Sequence, residues 1–518
     1  MASSDTKSMA KGALTIMLIA GMTKILGFLR VAVMASYFGA TAQTDIYTMA
    51  SKAPSLIYTF LNAIIVATFI PLYTKIEAES SREKADEFAS RMMNLMMLIT
   101  GLLVVVGLVF APQIMSVLAY DYEGDKMSNT IAMVRIMMPM LLMQMMTIIY
   151  CNILNANRRF AGPQFYGMPL SICVILACVF LSDTLGAYAL AWGTLASALV
   201  QMLLMGFLAR KYFHWSPSLS LHDTHVGKAM KLAVPAVLST SVLEINSTLD
   251  AMLSSGLADG HLASLEYANR LISVVVGTVI VAAHTTTYTQ LSECASRKDK
   301  EGFSHILSRN LAVLIMILLP IMLVAIINAK EIVSVVYERG SFDATATTLT
   351  SGILVFYAPY LLFTGIRDVG TRAFYALGNT KAPMISGIIS MGTNAVLNLI
   401  LVRFMGAYGL ALATAIAMLA ACVVLLIQLR RQAGGLGVRQ YGKDYLWMLA
   451  GSVICAVLLL LVRWLLPQVH ALVRLCACCA AGLSAYAATM YLSGSFIARQ
   501  LVQGIIANIR SKLKQARS

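Results

Sequence analysis

The chain has 518 residues, of which 59% are hydrophobic and only 12% are charged, and its formal net charge is +15. Because soluble domains carry about 25% charged residues, this composition excludes an ordinary soluble enzyme. The basic charge does not indicate nucleic-acid binding, since most Lys and Arg fall in loops on one side of the predicted membrane spans, where insertion requires them.

Fourteen apolar segments are each long enough to cross about 30 Å of hydrocarbon, which takes about 20 helical residues. Because the polar connections between them are short, the sequence predicts an all-α polytopic membrane protein with about 14 transmembrane helices. The predicted spans, numbered 1 to 14, cover residues 13–36, 45–72, 91–118, 129–154, 163–182, 186–209, 230–256, 262–290, 309–328, 347–376, 383–403, 407–429, 445–466 and 470–493.

The charges of the connecting loops alternate along the chain. Loops after even-numbered spans carry Lys or Arg, whereas the loops after spans 1, 5 and 7 contain neither. The positive-inside rule therefore places the even loops and both termini in the cytoplasm, as in a multi-pass protein of the bacterial inner membrane. The tail at 499–518 alternates apolar and basic residues, which predicts either an amphipathic helix on the anionic cytoplasmic surface or a disordered basic tail.

The sequence repeats itself at an offset of about 220 residues. Each copy holds six spans, and because six is even, both copies start on the same side of the membrane as parallel repeats. We expect two such six-helix bundles, at 1–215 and 216–435, to face a central cavity and to rock in alternating access. Spans 13 and 14, within 436–498, lie outside the repeat. The matching segments are Gly186–Leu190 with Gly406–Leu410, Asn157–Pro163 with Leu377–Pro383, and Ala111–Val117 with Ala329–Val335.

Ionisable residues inside predicted spans are candidate functional residues, because burying a charge in the membrane is costly. Cations outnumber acids in the first two spans, and Arg presents a planar fork that suits phosphate oxygens. The pattern favours a cationic cavity for a phosphate or diphosphate headgroup. The candidate substrate-binding residues are Lys24, Arg30, Asp45, Lys52 and Arg270.

The alternative is that these charges pair with one another. Glu266 lies four residues before Arg270, on the same helix face. For Arg367 and Arg372, near the cytoplasmic end of span 10, pairing with Asp368 is the favoured interpretation.

A second group of candidates is rich in oxygen. Asp250 lies in span 7, Asn394 and Asn398 share one face of span 11, and Thr414 lies in span 12. One carboxylate, two amide oxygens and a hydroxyl would suit a small hard cation such as Na⁺. The alternative is hydrogen bonding between helices by buried polar residues.

Motifs for other chemistries do not occur in the sequence. It has no phosphate-binding P-loop, no dinucleotide fingerprint and no HExxH zinc motif. We therefore expect a transporter without a catalytic site or a cofactor, driven by an ion gradient, the membrane potential or the substrate gradient, with Na⁺ as the candidate coupling ion.

Several segments resemble the MurJ/MviN lipid II flippases of the multidrug/oligosaccharidyl-lipid/polysaccharide exporter superfamily. The resemblance covers nearly the whole chain and implies a cavity for the diphosphate-sugar headgroup of an undecaprenyl-linked peptidoglycan precursor. It places Lys24, Arg30, Asp45 and Arg270 on the family's charged positions, likens the Asp250 group to its cation site, and gives spans 13 and 14 a groove for the polyprenyl tail. The matching segments are Lys24–Arg30, Phe38–Asp45, Lys52–Pro54, Phe69–Pro71, Tyr267–Arg270 and Phe374–Pro383.

The chain also departs from this family pattern. Tyr58 and Thr59 stand where the family has two arginines, and Val31 and Asn269 stand where aspartates are usual. The resemblance as a whole predicts a lipid II flippase that contacts membrane lipids and cell-wall synthesis proteins, and these departures leave its substrate open. The alternatives are a flippase for another polyprenyl-linked oligosaccharide, a cation-coupled drug exporter of the same superfamily, a membrane glycosyltransferase and a non-transporting scaffold.

Overall fold

The computed structural model of the protein describes residues 2–217, 237, 244–432, 438–495 and 497–499. These residues form helices joined by short turns, with no strand among them. About half of predicted span 7 (230–236 and 238–243) and, except for Arg499, the predicted tail lie outside the described residues.

The chain divides into two compact units. The first contains residues Met1–Ala263 together with Arg339–Asp343, and the second contains Ser264–Glu338 and Ala344–Ser518. The helices up to residue 254 are α1 (Ala2–Phe38), α2 (Ala42–Glu79), α3 (Arg82–Val109), α4 (Ala111–Leu118), α5 (Gly124–Met137), α6 (Met140–Ala156), α7 (Ala161–Gln164), α8 (Gly167–Leu185), α9 (Tyr188–Ala209) and α10 (244–254).

The remaining helices begin just before the boundary between the units. A π-helical segment, Val276–Ile280, joins α11 to α12, and a 3₁₀ turn, Val438–Tyr441, precedes α19. These helices are α11 (His261–Val275), α12 (Val281–Ser296), α13 (Lys300–Ile327), α14 (Ala329–Tyr337), α15 (Ala344–Tyr357), α16 (Pro359–Ala376), α17 (Lys381–Met405), α18 (Ala407–Gln432), α19 (Gly442–Leu465) and α20 (Ala471–Leu492).

Within the described residues, twelve helical stretches are long and apolar enough to cross a membrane. They correspond to the predicted spans other than 7 and 8. Span 7 is described only in part, and in span 8 the π segment separates α-helices of 15 and 16 residues. The protein is therefore an all-α polytopic membrane protein with about fourteen transmembrane helices, as predicted.

Predicted span 3 has different bounds from the helix that the structure shows. The spanning helix is α3, Arg82–Val109, and the residues predicted to end the span form a separate short helix, α4. The break falls at Phe110, and Pro112 lies in the first turn of α4, where its missing N–H needs no partner.

The internal repeat is visible in the backbone. Spans 4 and 10 each break immediately before a proline, at Pro139 and Pro359, because proline donates no backbone hydrogen bond. Gly186 and Gly406, which end the corresponding helices α8 and α17, have nearly the same conformation, with φ 55° and ψ −139° against φ 57° and ψ −133°. Left-handed residues recur in the same way at Arg158 and Gly378.

Residues Arg339–Asp343 are part of the first unit, although the chain on both sides of them belongs to the second. Ser341 donates its backbone N–H to the carbonyl of Ser36 at 2.7 Å and its hydroxyl to the carbonyl of Tyr37 at 2.9 Å. Gly340 has φ +60°, and a Cβ there would collide with the Ser36 carbonyl, so the position requires glycine.

Candidate functional site

Two of the predicted cations lie on different faces of α1. Lys24 is exposed, whereas Arg30 is half-buried and close enough to Cys178 of α8 to influence its thiol. Six residues on a helix amount to 600°, or 240° beyond one turn, which accounts for the separation. α1 packs against α8, and Arg30 lies on the side of α1 that faces α8.

A polar contact zone joins α2 to α10 in the first unit. Lys52 is 9% exposed, and its Nζ donates to Ser247 Oγ at 3.2 Å. One turn later, Ser55 Oγ donates to Glu244 Oε1 at 3.1 Å. The structure thus places Lys52 and Ser55 of α2 against α10, where Glu244, an acid of predicted span 7, accepts the hydrogen bond from Ser55.

Asp45 is buried and caps a helix. Its side chain is 2% exposed, and its two carboxylate oxygens accept the backbone N–H groups of Gly260 at 2.6 Å and Ala263 at 2.7 Å. Since α11 begins at His261, the carboxylate satisfies first-turn donors and interacts favourably with the positive end of the helix dipole. These bonds give Asp45 a positioning role at the start of the helix that contains Arg270.

Arg270 lies in α11 of the second unit, six residues before the π segment. It is half-buried, and its charge acts on the hydroxyl of Tyr337, which donates to the Tyr267 carbonyl at 3.3 Å. Burial raises the pKa of Tyr337, and the nearby Arg270 partly offsets that rise. In the part of the chain that the structure describes, Arg270 forms no ion pair with Glu266, the pairing considered as the alternative.

The predicted oxygen cluster is assembled in part. Asn398 Nδ2 donates to Asn394 Oδ1 at 2.8 Å, Asn394 Nδ2 donates to Thr414 Oγ1 at 3.1 Å, and Thr414 Oγ1 donates to the Leu410 carbonyl at 3.0 Å. Asn394 and Asn398 are fully buried. The chain of bonds connects α17 to α18 in the second unit, whereas Asp250 belongs to the first unit.

The donors in this cluster suit the class of ion predicted. Neutral amide and hydroxyl oxygens are hard ligands of the kind that oxygen-binding cations use. Asn394 Oδ1 and Thr414 Oγ1 already accept hydrogen bonds within the cluster, whereas Asn398 Oδ1 accepts none from it, so the geometry accommodates either interpretation. No group of three or more His, Cys, Asp or Glu side chains suited to a metal ion occurs among the described residues.

Sequence reasoning missed one buried ionic cluster in the second unit. Glu331 of α14 is 1% exposed, and its Oε1 lies 3.4 Å from Arg463 Nε and 3.2 Å from an Arg474 guanidinium nitrogen. The two arginines belong to α19 and α20, so the cluster attaches the C-terminal hairpin to α14. The sequence feature that could have revealed this cluster is the pair of arginines near the ends of predicted spans 13 and 14, on the same side as a loop rich in acids.

The chain is similar to known proteins over most of its length. The family model described as "Lipid II flippase MurJ" matches residues 34–478. A "Probable lipid II flippase MurJ" of Treponema pallidum is 27% identical over 438 residues, covering 82% of each chain. A protein of the same description from Vibrio cholerae is 25% identical over 472 residues, covering 88% of this chain and 89% of its own.

Solved structures show the same fold. "Lipid II flippase MurJ, inward closed conformation" superposes with a TM-score of 0.81 at 24% identity, covering 94% of this chain and 100% of its own. An inward-facing multidrug resistance MATE family transporter of the MOP superfamily gives a TM-score of 0.66 at 14% identity, covering 82% of this chain and 98% of its own.

Proposed function

Because the chain belongs to the lipid II flippase MurJ family, we propose that it translocates undecaprenyl-diphosphate-linked peptidoglycan precursor, lipid II, across the cytoplasmic membrane by alternating access. The observation that carries the proposal is the family match over residues 34–478. Its activity is transport without covalent chemistry.

The cations of the membrane helices are the groups that would recognise the substrate. Lys24, Arg30, Lys52 and Arg270 all lie in predicted spans, where a charge is retained at a cost. Arg30 of the first unit and Arg270 of the second are each half-buried, so a diphosphate that reached either one would replace little of its hydration and form charge-assisted hydrogen bonds. The substrate is thus the polyprenyl-diphosphate-linked glycan, with membrane lipids as surroundings.

One observation favours a second candidate, a flippase for another polyprenyl-linked oligosaccharide. Tyr58 stands where the family pattern has an arginine. Its hydroxyl lies 3.3 Å from the Tyr166 hydroxyl, and both side chains are partly buried. A neutral hydrogen-bonded pair there binds anions less strongly than arginines would. The altered position changes the expected headgroup, while the fold stays the same.

The energy source and topology complete the proposal. Asn394, Asn398 and Thr414 of the second unit supply oxygens for Na⁺ as coupling ion. The loop charges support cytoplasmic termini in a bacterial inner membrane. Cell-wall synthesis proteins are the expected neighbours of a transporter that delivers their substrate.

The test is complementation of bacterial cells depleted of their own lipid II flippase. We expect the wild-type protein to restore growth. Arg270→Ala should fail, because losing a charge-assisted hydrogen bond to a phosphate costs about 1.5–3 kcal/mol, or roughly tenfold to a hundredfold in affinity. Arg297→Ala is the matched control, since Arg297 is 72% exposed and pairs only with the neighbouring Glu293 among described residues.

Each variant must be shown to reach the membrane at the wild-type level. Growth with Arg270→Ala equal to wild type would rule out Arg270 as a substrate contact. A wild-type protein that inserts normally and does not restore growth would reject lipid II as substrate and favour the second candidate.

A further inference from the structure

A surface pocket in the first unit has no role in the proposed transport path. It has a volume of about 370 Å³ and lies between the turn that follows α6 and the C-terminal end of α9. Arg159, Arg210 and Lys211 line it together with the aromatic rings of Phe207 and Tyr212. None of these residues belongs to the substrate-binding or oxygen-rich candidates.

Two of the three cations of the pocket, both arginines, lie over aromatic rings rather than beside carboxylates. The Arg159 guanidinium carbon lies 5.3 Å from the centre of the Tyr212 ring, and that of Arg210 lies 3.9 Å from the centre of the Phe207 ring. Stacking uses the face of a guanidinium and leaves its in-plane N–H donors for an anion. Among the described residues, no Asp or Glu lines the pocket or forms an ion pair with these three cations.

Hydrogen bonds join the two segments that form the pocket. Arg82 donates to Asn157 Oδ1 and to the carbonyl of Tyr212, both at 3.0 Å, and so joins the turn after α6 to the segment after α9. Asn157 Nδ2 donates in turn to the Ile153 carbonyl at 2.9 Å. The pocket therefore exists before any ligand binds, which lowers the ordering cost of binding.

The surroundings of the pocket indicate the class of ligand. It lies at the ends of two membrane helices whose loops carry the basic residues predicted to be cytoplasmic. Phe207 is 57% exposed, Phe160 in the adjoining turn is 49% exposed, and Trp215 after α9 is 58% exposed. Exposed aromatic rings at the end of a span are typical of the interface between headgroups and acyl chains.

We propose that this pocket binds the phosphate headgroup of an anionic phospholipid, such as phosphatidylglycerol, in the cytoplasmic leaflet. Arg159, Arg210 and Lys211 bind the phosphate, and the exposed aromatic rings contact the upper part of the acyl chains. A topological signal alone would need basic residues somewhere in these loops. It would not need two guanidinium groups placed over aromatic rings around one cavity.

The experiment measures phospholipid binding to the purified full-length protein by native mass spectrometry, with phosphatidylglycerol and phosphatidylcholine titrated separately. We expect the wild type to prefer phosphatidylglycerol. The triple variant Arg159→Gln, Arg210→Gln, Lys211→Gln should bind phosphatidylglycerol about a hundredfold more weakly, because each basic residue near an anionic surface contributes about fivefold. Its matched control is Lys298→Gln, Lys300→Gln, Arg431→Gln, which removes the same charge from exposed basic residues outside the pocket.

A second variant fills the pocket and leaves its charge unchanged. Ala161 is exposed and lines the rim, so Ala161→Trp should block lipid binding without disturbing buried residues. Equal losses of phosphatidylglycerol binding in the triple variant of the pocket and in the control triple variant would overturn the proposal. A wild-type protein that binds the two lipids equally would overturn it as well, and so would normal phosphatidylglycerol binding by Ala161→Trp. If millimolar glycerol phosphate displaces phosphatidylglycerol completely, the ligand is a soluble phosphate and the lipid assignment is wrong. Because the readout is binding, failure here leaves the proposed transport function untouched.

Discussion

The capping role of Asp45 leads to a quantitative prediction for Asp45→Asn. Asparagine has nearly the same shape, keeps one acceptor oxygen and replaces the other with an NH₂ group. That group would face a backbone N–H, either of Gly260 or of Ala263, which now lie 2.6 Å and 2.7 Å from the carboxylate oxygens. Losing one charge-assisted hydrogen bond costs about 1.5–3 kcal/mol, and leaving a buried N–H without an acceptor costs about 1–3 kcal/mol more, so we expect a loss of about 2.5–6 kcal/mol.

The matched control is Asp259→Asn, the same chemical change nearby in the chain. Asp259 is 62% exposed and pairs with Lys126 at 2.6 Å. An exposed pair of this kind contributes about 0–1 kcal/mol. The two variants therefore separate the buried cap from the surface ion pair while the net charge changes equally.

The assay is thermal unfolding of the purified full-length protein, followed by intrinsic fluorescence. At about 2–4 °C for each kcal/mol in a unit of this size, Asp45→Asn should lower the midpoint by at least about 5 °C and Asp259→Asn by at most about 4 °C. Equal midpoints for Asp45→Asn and wild type would refute the capping argument. If such a variant still failed in complementation, Asp45 would be retained for substrate contact instead.

Two further predictions concern the second unit. Glu331→Gln should lower the free energy of unfolding by about 3–5 kcal/mol, because it leaves the partly buried Arg474 without its anion. The control Glu293→Gln, in an exposed pair, should change the free energy of unfolding by less than about 1 kcal/mol. Similar thermal midpoints for the two variants would contradict the buried cluster. If Asn398 helps to hold Na⁺, replacing Na⁺ by choline should lower the thermal midpoint of wild type and not that of Asn398→Leu. An identical response of both proteins to the cation would argue for hydrogen bonding alone.

The sequence predicted the transmembrane architecture well because the membrane imposes one physical requirement on every span. Length and apolarity located the helices, and the repeat predicted equivalent positions such as Gly186 and Gly406, whose backbone angles agree closely. The helix breaks at Pro139 and Pro359 could have been predicted from the sequence, since proline cannot donate the helical hydrogen bond. The π segment after Arg270 had no comparable signal, because no glycine–proline pattern or charge distinguishes Val276–Ile280 from α-helix.

The candidate site was predictable in composition but not in its partners. Asn394 and Asn398 share a helix face, so their contact follows from spacing, and the structure adds Thr414 at 3.1 Å from Asn394. Asp45 was identified because a carboxylate inside a predicted span stands out, yet its partners are backbone groups at residues 260 and 263, and backbone groups have no sequence signature. The Lys52–Ser247 contact, nearly two hundred positions apart, likewise depends on tertiary packing.

The placement of Arg339–Asp343 has a consequence for dissecting the molecule genetically. A fragment cut after Ala263 would lack these five residues, and the carbonyls of Ser36 and Tyr37 would lose the donors that Ser341 supplies. Neither half of the gene therefore encodes a complete folding unit. Co-expressed halves would rebuild the first unit only if the second fragment returns this short segment to it, because the division into units does not follow the order of the sequence.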